Sequence, residues 1–259
     1  MNGMNGNRLR LPSADVVRQL VELVRDIVFP GYFSEARVDD SLDMLSARLE
    51  GLLPGLVGER TSEVAASFIA ELPEIRRLLE TDVDALMHND PAVEDRAEVI
   101  FCYPSITVML HYRTAHALLG LGVPVLPRII TERAHSLTGI DIHPAATIGE
   151  YFGIDHGTGV VIGATAIIGA HVMLYQGVTL GAKNFTYSED GRPVDIPRHP
   201  ILEDNVTVYS NASILGRIRI GHDTVIGGNV WLTEDVAPCS RVLQSSVVRR
   251  PIFKDGAGI

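Results

Sequence analysis

Up to about residue 122 the apolar side chains recur every three or four positions, the spacing of one face of an α-helix. Ser13 stands at the head of a first stripe, Val16, Val17, Leu20, Val24, Ile27 and Val28, which Pro30-Gly31 closes; a serine there can cap the helix by accepting an orphan amide. A second stripe is Leu42, Leu45, Leu49, Leu52 and Leu53, and a third is Val64, Phe68, Ile69, Leu72, Ile75, Leu78 and Leu79. A longer helix is predicted beyond Pro91, carrying Ile106, Met109, Leu110, His116, Leu118 and Leu119 as far as Gly120.

From Ile142 that period is replaced by one of six. Aliphatics fall at Ile142, Ile148, Ile154 and Val160 and then, after a slip of two residues, at Ile162, Ile168, Leu174 and Leu180. The same register returns at Leu202, Val208, Ile214, Ile220, Ile226 and Leu232. Small residues often follow, as at Gly149, Gly163, Gly169, Gly181, Gly221 and Gly227, and a small or aliphatic residue sits four places on, as at Ala146, Ala166, Val172, Val178, Val206, Ala212 and Val230. A repeat this short is one strand plus a turn, and three repeats close a triangular coil whose aliphatics fill the interior. The predicted fold is α+β: an amino-terminal α-helical domain (residues 1–138), then a left-handed parallel β-helix of hexapeptide repeats (139–245), an exception to the usual right-handed crossover. Residues 182–200, AKNFTYSEDGRPVDIPRHP, break the register and are expected to leave the coil as an excursion loop; residues 246–259 are expected to form a flexible carboxyl-terminal tail.

Composition narrows the functional classes. In 259 residues there are 22 Lys+Arg against 32 Asp+Glu, a formal charge of -10, which is the wrong sign for a nucleic-acid binder. No run approaches the ~20 apolar residues of a membrane span, and the amino terminus lacks an apolar signal core, so a cytoplasmic protein without a membrane partner is expected. Cys102 and Cys239 have no paired spacing and are expected to be small buried apolar residues. There is no phosphate-binding glycine loop and no GxSxG nucleophile motif.

The coil is too narrow to hold a histidine inside, so Asp141, His143, Asp155, His156, Arg198 and His199 should lie outside it or at its corners. Asp141 precedes Asp155 by fourteen residues and His156 by fifteen, close to one coil, so the carboxylates and the imidazole can approach one another. A carboxylate that orients an imidazole makes a general base for an alcohol; the same spacing also suits a solvated aspartate and a corner histidine. Arg198-His199 closes the excursion. The arginine is suited either to a substrate carboxylate or to neutralising Glu189, Asp190 and Asp195. His111 and His116, five apart, would lie roughly 140° apart on a helix, a poor pair of metal ligands.

The runs GIDIHPAATIG (139–149), IDHGTGVVIG (154–163), YQGVTLGA (175–182), RHP (198–200) and IGGNVW (226–231), with the helical segment 89–118 and ERAHSLTG before them, resemble the serine O-acetyltransferases over about residues 89–236. The resemblance implies transfer of acetyl from acetyl-CoA to the hydroxyl of L-serine, giving O-acetylserine for cysteine synthesis, or to another small hydroxyl acceptor such as homoserine. It implies His156 as general base with Asp141 orienting it, Asp90 and Asp155 holding the serine ammonium, Arg198 clamping its carboxylate and His199 beside the reacting hydroxyl. Acetyl-CoA would lie in the groove between neighbouring prisms near Gly181, Ser210 and Gly228 as co-substrate, with no permanently bound cofactor and no metal. A homotrimer or a dimer of trimers is implied, as is a complex with O-acetylserine sulfhydrylase through Ile259. Three places depart from the family pattern: Ala182 where a second glycine is expected, Tyr209 where a glycine is usual, and CSRVLQSSVVRRP, which lacks the AGxPA turn. Two rival readings are a γ-class carbonic anhydrase, with His143, His156 and His199 on zinc, and a non-catalytic trimeric scaffold.

Overall fold

The computed structural model describes residues 11–184, 187–192, 194 and 196–244; Asp195 and the tail with Ile259 lie outside the described residues. Among the described residues seven α-helices come first: α1 (Ala14–Val28), α2 (Val38–Leu52), α3 (Pro54–Val57), α4 (Thr61–Asn89), α5 (Arg96–Cys102), α6 (Pro104–Gly120) and α7 (Leu126–Thr138). Ser13 caps α1 as expected, its hydroxyl accepting from the Val16 amide at 3.4 Å. The long helix expected beyond Pro91 is two. Pro104, which has no amide hydrogen and fits only the first turn, ends α5 and starts α6 on either side of Tyr103. At the end of α7, Gly139 adopts φ 72 and its amide returns to the His135 carbonyl at 2.8 Å, a left-handed cap that turns the chain into the solenoid.

Among the described residues fourteen short strands build three parallel sheets. The first face stacks β1 (Asp141–Ile142), β4 (Val161–Ile162), β7 (Thr179–Gly181), β10 (Ser213–Leu215) and β13 (Trp231–Leu232). The second stacks β2 (Thr147–Ile148), β5 (Ile167–Ile168), β8 (Ile201–Leu202) and β11 (Arg219–Ile220). The third stacks β3 (Gly153–Asp155), β6 (Met173–Tyr175), β9 (Thr207–Val208), β12 (Val225–Ile226) and β14 (Arg241–Val242). The aliphatics of the six-residue period are the interior: Ile162, Leu180, Ile168, Leu202, Leu174, Val208, Ile214, Ile220 and Ile226 are all buried. The two-residue slip is a wider corner. Asp141 pairs with Val161, whereas Val161 pairs with Thr179, so the first turn is two residues longer than the next. The extra length is spent at His156–Gly159, between the third face and the first.

The helices hold the first turn through buried polar bonds. Arg113 of α6 binds Asp82 of α4 through two 2.7 Å bonds and donates to the Gly149 carbonyl at 2.9 Å, while Asp82 also accepts the Phe152 amide at 3.2 Å. Tyr112 donates to the Ala146 carbonyl at 2.6 Å. One apolar core runs from Leu20 of α1 through Leu86 of α4 to Ile154 of β3. Among the described residues no helix is long and apolar enough to cross a membrane. The two cysteines correct the sequence expectation, for both are exposed. Cys102 ends a helix on its open side, and Cys239 sits at a solenoid corner, where side chains point outward.

Candidate active site

The corner between the third and first faces gathers one set of residues. Asp155 ends β3 with a side chain 20% exposed, and His156 follows at φ 57, the left-handed conformation that turns its imidazole out of the corner. Gly157 and Gly159, both at φ 81, complete the wide turn, and the Gly159 amide reaches the Gly139 carbonyl of the chain below at 2.8 Å. His156 is open, 72% exposed, and its Nε2 lies 3.8 Å from an Asp155 oxygen.

Asp90 is brought to this corner by the end of α4. Its carboxylate accepts the Tyr103 hydroxyl at 2.5 Å and the Ala92 amide at 2.8 Å. The Tyr103 hydroxyl above all, then the Ala92 amide and the charge of His156, hold its carboxyl below the usual aspartate range, so it stands ionised. Tyr103 had no sequence signal beyond its place before Pro104; the break between α5 and α6 is what aims it. Directly above Asp155 in the sheet register is Tyr175, whose ring stacks on Tyr209 with centroids 4.8 Å apart and planes at 16°. Tyr209, the departure from the family glycine, thus forms part of an aromatic wall over the carboxylates. Ser210 and Gly228 lie on the same corner two and three turns above His156. A Cβ on Gly228 would stand 3.2 Å from the Ser210 carbonyl oxygen, so that path is narrow.

Asp141 and His156 are the orienting carboxylate and the base that the resemblance implies. Among the described residues no hydrogen bond links them, and the carboxylate beside the imidazole is Asp155. Asp141 starts the first face, its amide on the Val160 carbonyl at 2.9 Å.

Arg198 and His199 occupy a different corner, between the first and second faces, where the excursion returns. His199 is buried, and a Cβ on Gly163 would lie 2.0 Å from its ring, so only glycine leaves it room. Thr165 seats it: the Thr165 amide donates to Nδ1 at 3.1 Å, and the Thr165 hydroxyl lies 2.9 Å from Nδ1 while accepting the amides of Arg198 and His199. Burial, then the positive charges of Arg198, His143 and Arg217, push the His199 pKa down to about 4. The ring is therefore neutral, Nδ1 is an acceptor, and the network assigns the hydrogen to Nε2. The Arg198 guanidinium donates to the Ile196 carbonyl at 3.3 Å. Gly181 ends β7 where the excursion departs. The first face separates the two corners.

No family model matches the chain. A serine acetyltransferase from Synechococcus elongatus is 41% identical, with 96% of this chain and 86% of the relative aligned. Another from Mycobacterium tuberculosis is 41% identical over 62% of this chain and 67% of its own length. Among solved structures, serine acetyltransferase isoform 3 of Entamoeba histolytica, in complex with cysteine, is 34% identical and superposes with a TM-score of 0.79 over 92% of this chain and 85% of its own. That of Neisseria gonorrhoeae, in complex with serine, is 26% identical with a TM-score of 0.61 over 92% of this chain and 98% of its own. These superpositions take in the helices and the solenoid together, whose fold is the left-handed β-helix.

Proposed function

The chain belongs to the serine acetyltransferase family, and from that premise we propose how its two corners share the work. The enzyme transfers acetyl to the hydroxyl of serine, and its family draws the acetyl group from acetyl-CoA. The observation that carries the assignment of roles is that Asp90, Asp155 and His156 meet at one corner, beside the tyrosine wall.

In this reading the ionised Asp90, together with Asp155, holds the serine ammonium. His156 Nε2 takes the hydroxyl proton as the oxygen attacks the thioester carbonyl carbon. The resulting tetrahedral adduct expels the thiolate of coenzyme A, which takes the proton back from the imidazolium. No acyl-enzyme forms, and proton balance closes on the one ring. General base catalysis of this kind contributes roughly 10²- to 10⁴-fold, and holding both substrates together supplies much of the rest. Arg198 binds the serine carboxylate through its planar fork. His199, neutral, donates its Nε2 hydrogen and does not act as a base. Asp141 takes the orienting role only if His156 turns toward it, and Asp155 is the nearer candidate.

Arg198 and His199 stand across the first face from His156, so one chain does not bring the whole constellation together. We infer that a homotrimer completes each site, one chain supplying the Asp90–Asp155–His156 corner and its neighbour the Arg198–His199 corner, with acetyl-CoA in the groove between them near Gly181, Ser210 and Gly228. Serine bound to the Neisseria relative and cysteine to the Entamoeba one are consistent with a grip on ammonium and carboxylate that both amino acids offer. The tail ending at Ile259, which lies outside the described residues, is assigned the sulfhydrylase contact: a peptide ending DGAGI is expected to compete with O-acetylserine for that partner. A cytoplasmic setting fits these substrates.

The deciding experiment co-expresses His156→Asn and Arg198→Ala chains. Each is inactive or weak alone, and mixed trimers are expected to regain activity, because some sites then pair an intact His156 with an intact Arg198. No regain across a full mixing range would put all these groups in one chain. A thiol-release assay against serine, homoserine and other hydroxyl acceptors fixes the acceptor, and preference for a sugar would reject it.

A further inference from the structure

The corner between the second and third faces plays no part in this reaction, yet it is the most regular of the three. Tyr151, His171, Asn205, Asp223 and Cys239 form a column there, one per turn, all in the left-handed conformation with φ between 54 and 59. Each of the four above Tyr151 is tied to the turn beneath by its amide: His171 to the Glu150 carbonyl at 3.0 Å, Asn205 to Ala170 at 2.9 Å, Asp223 to Asp204 at 3.0 Å and Cys239 to His222 at 2.8 Å. Side chains in successive turns therefore meet. The rings of Tyr151 and His171 stack 4.4 Å apart, and Asn205 donates to Asp223 at 3.0 Å.

At the top of the column the meeting groups are metal ligands. A ring nitrogen of His222, a carboxylate oxygen of Asp223 and the sulfur of Cys239 all lie within 4.8 Å of one another. His222 Nδ1 is 2.7 Å from Asp223 Oδ2. All three side chains are exposed, at the edge of a groove of about 510 Å³ whose walls include Glu203 and Asp204. We propose that His222, Asp223 and Cys239 form a binding site for a thiophilic divalent cation, zinc being the best chemical match, which clasps the coil that leads into β14 to the one below.

The donor set selects the ion. Calcium and magnesium want oxygen alone, whereas an imidazole, a thiolate and a carboxylate are the mixture that zinc accepts, with water free to take a fourth position. Tetrahedral zinc holds its donors roughly 3.5 Å apart, so side-chain rotation suffices to close the present spacing. The backbone is already fixed by the Cys239–His222 and Asp223–Asp204 bonds, which limits the ordering cost. Glu203 and Asp204 add negative charge, and Glu203 also accepts the His222 amide at 2.9 Å.

The test uses the full chain stripped with a chelator, then titrated with zinc by calorimetry and with cobalt(II) by absorption spectroscopy. One ion per chain is expected, with a thiolate-to-cobalt charge-transfer band and slower amide exchange over 236–242. Loss even of an outer partner of a metal ligand costs 10- to 100-fold, so Cys239→Ser and His222→Ala are each expected to weaken zinc by more than about 100-fold, and Cys239→Ser to abolish the band. Acetyl transfer by either variant should match the parent chain. Absence of binding overturns the proposal, and so does zinc held by Cys239→Ser with undiminished affinity, which would place it on Cys102 or on the histidines of the catalytic corners.

Discussion

Two corners of the same solenoid each carry a histidine, and the protein treats them in opposite ways. His156 stands in the open beside carboxylates, its imidazole 3.8 Å from Asp155. His199 is buried among Arg198, His143 and Arg217, with its pKa pushed down to about 4. Negative neighbours stabilise an imidazolium and so suit a ring that must accept a proton; burial among cations forbids the charge and leaves a fixed hydrogen-bond donor. The lesson is that residue type does not assign the base; the charges packed around each ring do. The comparison breaks at its strongest point if the open ring is dispensable. His156→Asn is expected to lower kcat by roughly 10²- to 10⁴-fold with folding intact; a near-parental rate would remove the base from this corner.

Gly163→Ala sharpens the other half. The backbone at Gly163 needs no special φ, but the new methyl would meet the His199 ring at 2.0 Å and the imidazole has to leave its seat on Thr165. Overpacking of this kind costs about 1–3 kcal/mol, and the KM for serine should rise more than that for acetyl-CoA. An unchanged melting temperature together with unchanged kinetics would mean that the seat of His199 is not needed.

Much of this was legible in the sequence because a solenoid repeats. Each inward aliphatic, from Ile148 to Ile226, announces its turn, and the slip between Val160 and Ile162 announces the widened His156 corner. What six-residue spacing does not carry is which corner a residue reaches. Count brings both Asp141 and Asp155 near His156 without saying which carboxylate the imidazole meets, and Arg198-His199 returns from an excursion whose length alone says nothing of where it lands. Tyr103 and Thr165 were invisible for a different reason: their roles come from contacts between remote segments, the one to Asp90 across α5 and the other to the loop end. The helical region was readable as helices, but the division at Tyr103-Pro104 needed the stereochemistry of proline rather than the apolar stripe.

The two candidate partners of His156 can be told apart by a smaller effect. If Asp155 is the neighbour that supports the base, Asp155→Asn should lower kcat and also raise the KM for serine, because the same carboxylate holds the ammonium. Asp141→Asn should then leave KM in place and reduce kcat by less. A larger kcat loss in Asp141→Asn than in Asp155→Asn would show that His156 turns toward Asp141 during the reaction, contrary to the arrangement seen here.

The smallest expected effect belongs to the buried ring and concerns stability rather than rate. In the unfolded chain a histidine takes up a proton near its ordinary value of 6.5, whereas in the folded protein His199 resists it down to about 4. Between those limits the unfolded state binds more protons, so stability must fall as pH drops from 6.5 toward 4 and is fully present above 6.5. His199→Asn cannot titrate and abolishes this contribution. Its melting temperature should therefore decline less steeply than the parent's across that window, even though the substitution loses packing against Gly163 and starts from a lower value at neutral pH. His111, whose pKa burial also lowers, remains in both proteins and supplies a common slope. Parallel curves for the two proteins from pH 6.5 to 4 would mean that His199 already carries its proton when folded, and with that the contrast between a base at one corner and a neutral donor at the other would fail.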